Sequence, residues 1–576
     1  MNYQAGESMR PGPCAKERRL RRSLFWVFFA LFVLCSHGYI DNSDAEVEYQ
    51  TTRALALRLS PGLSAGHADA SVAEAFIGRT ALNSMVAAGQ EALPPGERVV
   101  YSWFGVGHAL TMLPFYALGS AVARILPGVE EKAAQSWERA AGTAANLWRE
   151  GTRDEFWARF FVSLHSPLFA ALTVLLLFVL LRRLGFDLGV ALWAVLLAAL
   201  TTQFWPESRQ SMADSSAGFF LLYSFERCVA WRQGGSSKVL AAAGALGGFA
   251  VLCRVFHVLP LAVLGIYVML PLLRERRLRE LLPFLLGALP FGLFLLAFNY
   301  WRFGTVMENG YSPGTKDGYW NFPFLHGFVL LGFSWGKGVF WFSPLLLAAP
   351  VGLWHLAKRL PAEVLVAVLL LLLPWLLNSF TTGWHSSQAW GVRYLTLGAF
   401  VLVAFGAAQL LRRCREGGRR PYLLLGIALL GLVFQLGGIL TPYRGYYELG
   451  FRAVEARWPQ VPKGDLIQYL VAEPRMSPLL VHWLYLGEAW SGALKREDPE
   501  LGAELYAKLF ATELGASAQL SWPEDRQLGH LWPIGLSRRF DSELPWLAGL
   551  LLLGFVLWGG RRIVLQVPTV AEDPCR

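Results

Sequence analysis

Residues 16–39 read K-E-R-R-L-R-R-S-L-F-W-V-F-F-A-L-F-V-L-C-S-H-G-Y, and residues 40–48 continue I-D-N-S-D-A-E-V-E. A basic cluster, an apolar run close to the ~20 residues needed to cross a bilayer, and then acid: this order is that of a first membrane span emerging into water. The pattern resembles a signal peptide, but no A-x-A-like site follows the run, and Leu34 makes Cys35 a poor lipoprotein site. The reading is therefore an uncleaved span with its N-terminus in the cytoplasm. Asp41, Asp44, Glu46 and Glu48 then emerge on the far side. Leu55 and Leu59, four apart and flanked by Arg53 and Arg58, suit a helix along the interface.

The rest of the chain repeats the first feature. Further apolar runs follow at 157–181, 188–204, 212–231, 239–255, 258–273, 281–300, 338–355, 362–380, 394–411, 422–441 and 544–560. Of the 576 residues 54% are hydrophobic and 16% charged, against about 25% charged in soluble domains. These features predict an all-α polytopic membrane protein of about twelve transmembrane helices. The net charge of +10 lies in short clusters between apolar runs. It therefore reads as a topology signal, and no nucleic acid is expected as a partner. None of the six cysteines falls in a predicted outer loop or in a C-x-x-C pair, so neither disulfide nor zinc site is expected.

The stretch 103–126 decides the topology. If it does not cross, the clusters at 182–183, 227–238, 274–279, 358–359, 412–420 and 561–562 all share the cytoplasm with 16–22; if it does, they all move outside. It is accordingly read as re-entrant or surface-lying, with Pro114, Gly105, Gly107 and Gly119 against a straight span. The domains that follow are a leader at 1–22, a transmembrane domain at 23–441 with a first outer loop at 40–156, an outer region at 442–543, and a last span and tail at 544–576. An amphipathic helix is expected at 500–514.

The unusual polar residues gather on the outer side. Ser43-Asp44-Ala45-Glu46 has the spacing of a capping box; equally, Asp44 is a candidate general base, or Asp44 and Glu46 a ligand pair for a divalent cation such as Mg or Mn. Asn299-Tyr300-Trp301-Arg302, then Asn309-Gly310-Tyr311, ends a span in a Gly-rich loop where Arg302 and the amides suit a phosphate. Trp384-His385 and Trp390-Gly391-Val392-Arg393-Tyr394 form a short turn between spans. There Arg393 is either a snorkelling cation or a phosphate clamp, and the two Trp are candidate sugar platforms. Arg254 with His257, Lys337, and Glu207, Arg209 and Asp214 as a polar ring complete the set.

In order along the chain, Asp44-Ala45-Glu46, Tyr101–Gly107-His108, Phe303-Gly304 with Gly310-Tyr311, Gly336-Lys337-Gly338 with Ser343-Pro344, and Trp390–Tyr394 resemble the motifs of the GT-C superfamily of polytopic glycosyltransferases. That group includes the protein O-mannosyltransferases and the aminoarabinose transferase of lipid A. The likeness covers roughly residues 20–440. Val392 stands where Pro is common, His108 where an amide is frequent, and the family's Lys/Glu-Pro or His-Pro-Pro element is absent near Tyr101.

The resemblance implies a GT-C-like bundle with juxtamembrane helices in the first outer loop. It also implies transfer of a sugar from a polyprenyl-phosphate carrier to a lipid, glycan or protein acceptor at the outer face of the bacterial inner membrane. Asp44, with Glu46, would be base or metal ligand. Arg254, Arg393 and Lys337 would neutralise the departing phosphate, and Arg302, Tyr311, His385 and Trp390 would bind substrate. A non-catalytic binder or flippase of lipid-linked glycans is the alternative. A secondary transporter would instead place its ionisable groups at the midplane.

Overall fold

The computed structural model of the chain describes residues 14–40, 43–64, 84–90, 92–93, 97–133, 156–311, 318–386, 389–418, 420–441, 443–462, 465–491 and 531–566. The helix expected at 500–514 lies outside them. The described chain is overwhelmingly helical. Helix α1 (Ala15–Leu34) is followed, in the stretch 40–163, by α2 (Ser43–Arg58), α3 (Val106–Ile125) and α4 (Phe156–Ser163). The body begins with α5 (His165–Arg183), α6 (Leu188–Thr201), the single turn α7 (Phe204–Glu207), α8 (Ala213–Arg232), α9 (Ser237–Cys253), α10 (Val258–Arg274) and α11 (Leu282–Phe303). It continues through α12 (Phe324–Phe333), α13 (Val339–Phe342), α14 (Ala349–Ala357), α15 (Pro361–Asn378), α16 (Thr396–Glu416) and α17 (Tyr422–Leu440). Then come α18 (Tyr443–Arg457), α19 (Leu466–Ala472), α20 (Pro478–Ser491), α21 (Trp532–Phe540) and the last span, α22 (Leu544–Leu565).

Among the described residues eight helical stretches are long and apolar enough to cross a membrane, α3 among them, although 103–126 was expected not to cross; 188–201, 237–253, 324–333 and 478–487 are apolar but shorter. The count of twelve spans is therefore not reached on length and composition. Leu285, Leu286, Leu289 and Leu293 on α11, and Leu547, Leu550, Leu551 and Leu557 on α22, are all at least half exposed. Such continuous apolar faces belong in lipid, because in water they would drive aggregation.

The arginine clusters meet at one end of the bundle. Arg182 reaches Glu17 of α1 at 3.2 Å, Arg183 and Arg227 share the buried Glu226, Arg232 faces Glu363 at 3.8 Å, and Arg415 bonds Asp187. These contacts cross-link four clusters that the topology argument places on one side. The disulfide expectation needs correction: Cys14 is disulfide-bonded, while Cys35, Cys228, Cys253 and Cys414 are free.

The first outer loop departs from the all-α expectation. It carries a small antiparallel sheet of order β1-β3-β2, built from Leu63–Ser64 (β1), Ser84–Val86 (β2) and Val99–Ser102 (β3), with Leu63 opposite Val100 and Met85 opposite Tyr101. Helix α3 is one helix with Pro114 inside it, in the stretch expected to be re-entrant or surface-lying. Its start packs on the end of α9: a Cβ at Gly107 would stand 2.6 Å from the Cys253 nitrogen, so the F-G-V-G-H sequence is a close helix approach. His108 meets His165 with ring centroids 4.8 Å apart, and further along Gly119 lies against Ala158. Helix α3 thus runs alongside α4, away from the Arg182-Arg183 end of α5.

The described part of 442–543 packs against the bundle. Tyr446, Tyr447, Leu470, Val471 and Tyr485 belong to the same buried cluster as the spans. The Val471 carbonyl accepts from the Gly336 amide, and the Trp335 carbonyl from Ser477 Oγ.

Candidate active site

Helix α2 sets the carboxylates. At 100° per residue, positions i and i+4 share a face and i+2 points elsewhere. Asp44 and Glu48 accordingly line one cavity of about 270 Å³. Glu46 turns away. Its Oε2 accepts from Arg159 Nη1 at 2.5 Å and its Oε1 from Arg159 Nη2 at 2.7 Å and Gln50 Nε2 at 2.8 Å. Arg159 also stacks over Tyr49, 4.3 Å from the ring centroid. Glu46 therefore fastens α2 to α4 and is not beside Asp44. Asp44 and Glu46 do not fit a common metal, since they face apart and guanidinium groups engage both. Among the described residues no group of three or more His, Cys, Asp or Glu is placed to hold one.

Three later segments converge on Asp44. Arg393, in the single turn before α16, donates Nη2 to Asp44 Oδ2 at 2.8 Å, and its Nε lies 3.6 Å from Asp214 Oδ2. Arg254, in extended backbone after α9, donates Nη1 to Asp214 Oδ1. Asp214 sits in the first turn of α8, where the helix dipole favours a negative charge. The result is a chain Asp44–Arg393–Asp214–Arg254, backed by Tyr394, whose ring centroid lies 4.6 Å from the Arg254 guanidinium.

A second, smaller cavity of about 80 Å³ meets the first at these groups. Both are lined by Met212, Asp214, Arg254, Phe256, Asn378, Arg393 and Tyr394. Beyond that junction the second cavity is mainly apolar, walled by Leu259, Pro260, Leu373, Pro374, Leu377 and Leu397, with Glu207, Ser208 and His257 also on its lining. Charge thus collects where a polar chamber and a mainly apolar one join.

The other candidates divide. His385, Tyr311 and Arg302 line the polar cavity. Burial, then the charges of Lys337 and Arg393, push His385 down to about 3, so it is neutral. Tyr311 stands in an aromatic wall, 5.0 Å from Phe256 and 6.0 Å from Tyr319 between centroids, and burial raises its phenol. Arg302 is tied to Ser102 O at 2.7 Å and Asn299 Oδ1 at 2.8 Å, which pins β3 to α11.

Lys337 and Trp390 line neither of these two cavities, against expectation. Lys337 is fully buried, with Nζ on the carbonyls of Ala389 (2.5 Å) and Gly391 (3.1 Å). Burial lowers it well below the usual ammonium range. Trp390 donates Nε1 to Gln435 at 3.0 Å and packs on Phe342 and His482. Trp384 is likewise fully buried, against Phe322. Gln203 Nε2 takes the Val392 carbonyl at 2.7 Å, and Tyr447 OH that of Ala389 at 3.1 Å. Gly391 adopts φ +70°, and a Cβ there would meet Gln203. The W-G-V-R-Y element is thus a backbone clamp that aims Arg393.

Two residues escaped the sequence reading as primary candidates. Asp214 was read only as part of a ring. Glu48 was visible at i+4 from Asp44. Its Oε2 lies 3.3 Å from His108 Nε2, and His108 Nδ1 pairs with Ser216 Oγ at 2.9 Å. Burial first, then the charge of Asp44, raise its carboxyl well above the usual range, opposed by Arg393 and Arg254.

Residues 140–307 match a family model described as dolichyl-phosphate-mannose-protein mannosyltransferase. Two solved structures match the chain at low identity and low TM-score. ArnT from Cupriavidus metallidurans in the apo state shares 12% identity at TM-score 0.41, over 94% of this chain and 75% of that one. The same protein bound to undecaprenyl phosphate shares 14% at TM-score 0.34, over 76% and 77%. No curated protein matches the chain. The chain is thus similar, over the stretch that carries Asp214, Arg254 and Arg302, to a family of membrane glycosyltransferases, in line with the GT-C resemblance carried by its motifs.

Proposed function

We propose that this chain is an integral-membrane glycosyltransferase that moves a sugar from a polyprenyl-phosphate carrier to an acceptor, at the end of the bundle opposite the arginine clusters. The observation that carries this reading is the Asp44–Arg393–Asp214–Arg254 chain at the junction of a polar and a mainly apolar cavity. A polyprenyl-phosphate sugar has the same three parts in the same order: an apolar tail, an anionic phosphate and a polar sugar. The match over residues 140–307 to a family described by a lipid-phosphate sugar donor supports the same substrate class.

In the reaction an acceptor oxygen or nitrogen attacks the sugar's anomeric carbon. The bond from that carbon to the phosphate oxygen breaks, and its electron pair stays on the phosphate. The acceptor's proton passes to Asp44. Arg254 and Arg393 stabilise the charge that grows on the leaving phosphate, in a partly buried site where fixed cations count for more than in bulk water. The aromatic wall of Tyr311, Phe256 and Tyr319 offers faces for a sugar ring. With arginine clusters inside, the site faces the outer side of a bacterial inner membrane.

The test is transfer by the purified chain across a panel of polyprenyl-phosphate sugars. Transfer by wild type that falls at least roughly a hundredfold in Arg254→Gln is expected, the scale of a lost transition-state donor. Full-rate transfer by that variant would remove Arg254 from the site.

A further inference from the structure

We propose that Asp214 is the anion a lipid phosphate displaces, and that its return to Arg254 and Arg393 expels the phosphate product. The inference rests on the glycosyltransferase reading above and adds to it what controls release. Asp214 takes Arg254 on Oδ1 and lies 3.6 Å from Arg393 Nε through Oδ2, so one carboxylate bridges both guanidinium groups. A phosphate held by the same two groups must take that seat. Asp214 also lines both cavities, so the seat lies where tail and sugar would diverge. With Asp44 on Arg393, the four groups carry two negative and two positive charges and sum to zero.

The chemistry of exchange follows from these charges. A phosphate offers more acceptor oxygens to guanidinium than a carboxylate does, so it can take the seat. The donor is a phosphodiester of charge about −1, whereas the product is a monoester of about −1.5 to −2 at neutral pH. The product is therefore held more tightly than the donor by bare arginines. A competing carboxylate weakens both, and its effect on turnover is greatest at product release. Asp214 is on this account a positioning residue and takes no proton.

The test measures binding of a polyprenyl monophosphate, with the matching polyprenol and inorganic phosphate as separate arms, to the full chain in nanodiscs. Asp214→Asn should bind the monophosphate at least about tenfold more tightly than wild type, the low end of measured charge-pair couplings. Its kcat and KM should fall together, Asp214→Glu should restore both, and polyprenol binding should stay unchanged. If Asp214 merely holds Arg254 in place, Asp214→Asn instead binds more weakly with a raised KM, and the proposal is overturned. Asp214→Ser is the second variant, checked by thermal melting; failure of both to fold would also overturn it. Arg254→Gln separates the two claims. Monophosphate binding that ignores Arg254→Gln, or is absent in wild type, defeats the site reading itself.

Discussion

Glu46 puts both carboxylate oxygens on Arg159 in a buried position, and neither partner has water to fall back on. Glu46→Gln should therefore destabilise the chain by about 3 kcal/mol or more, the cost of stranding a buried charge. A lowered midpoint in thermal or denaturant unfolding, with the loss shared by Arg159→Gln, is the expected result. Glu207 gives the pH dependence. Burial, opposed by Lys337, Arg393 and Arg209, raises its carboxyl from 4.5 to about 8. The fold favours the protonated form, so its stabilising share is full below about 4.5 and is lost as pH rises through 8. Melting midpoints across pH 5 to 9 should fall more steeply for wild type than for Glu207→Gln, and parallel curves would contradict this.

At the scale of elements, α2 explains what was legible and what was not. The acid after the first span stood out in sequence, and Asp44 does reach Arg393. The D-x-E pairing failed because a helix turns its i+2 residue to the other side, and Glu48 took the place assigned to Glu46. Lys337 and Trp390 were legible as unusual, but their role was not. Contacts from Gln203, Gln435 and Tyr447, far off in sequence, make them the frame of the Arg393 loop. The sheet was hidden because its strands have two to four residues, too few for alternation to show. Helix α3 yields a prediction here. Gly107→Val would force α3 off the end of α9, whose Arg254 lies one residue beyond Cys253. It should cost roughly 1–3 kcal/mol as overpacking and weaken phosphate binding with it, whereas a silent variant would show that this contact does not position Arg254.

For the whole molecule, the arrangement is a bundle with arginines cross-linked by carboxylates at one end and the cavity chain at the other. The sequence carried this polarity in the spacing of its basic clusters, while the number of spans was less legible, since several apolar helices are shorter than a bilayer. Helix α3 begins beside His165 and runs back along α4, away from the arginine end, although it is long and apolar enough to cross. A topology reporter fused after Leu126 should behave as external, like one fused within residues 41–42, and a cytoplasmic signal there would invert the bundle. The central claim is that acid from the first outer segment and arginines from later ones make one transfer site. Purified Asp44→Asn tests it most directly, with transfer and carrier-lipid binding measured on the same preparation. The account predicts transfer reduced by about a hundredfold or more, as for loss of a general base, with polyprenyl-phosphate binding retained; transfer at the wild-type rate would contradict it.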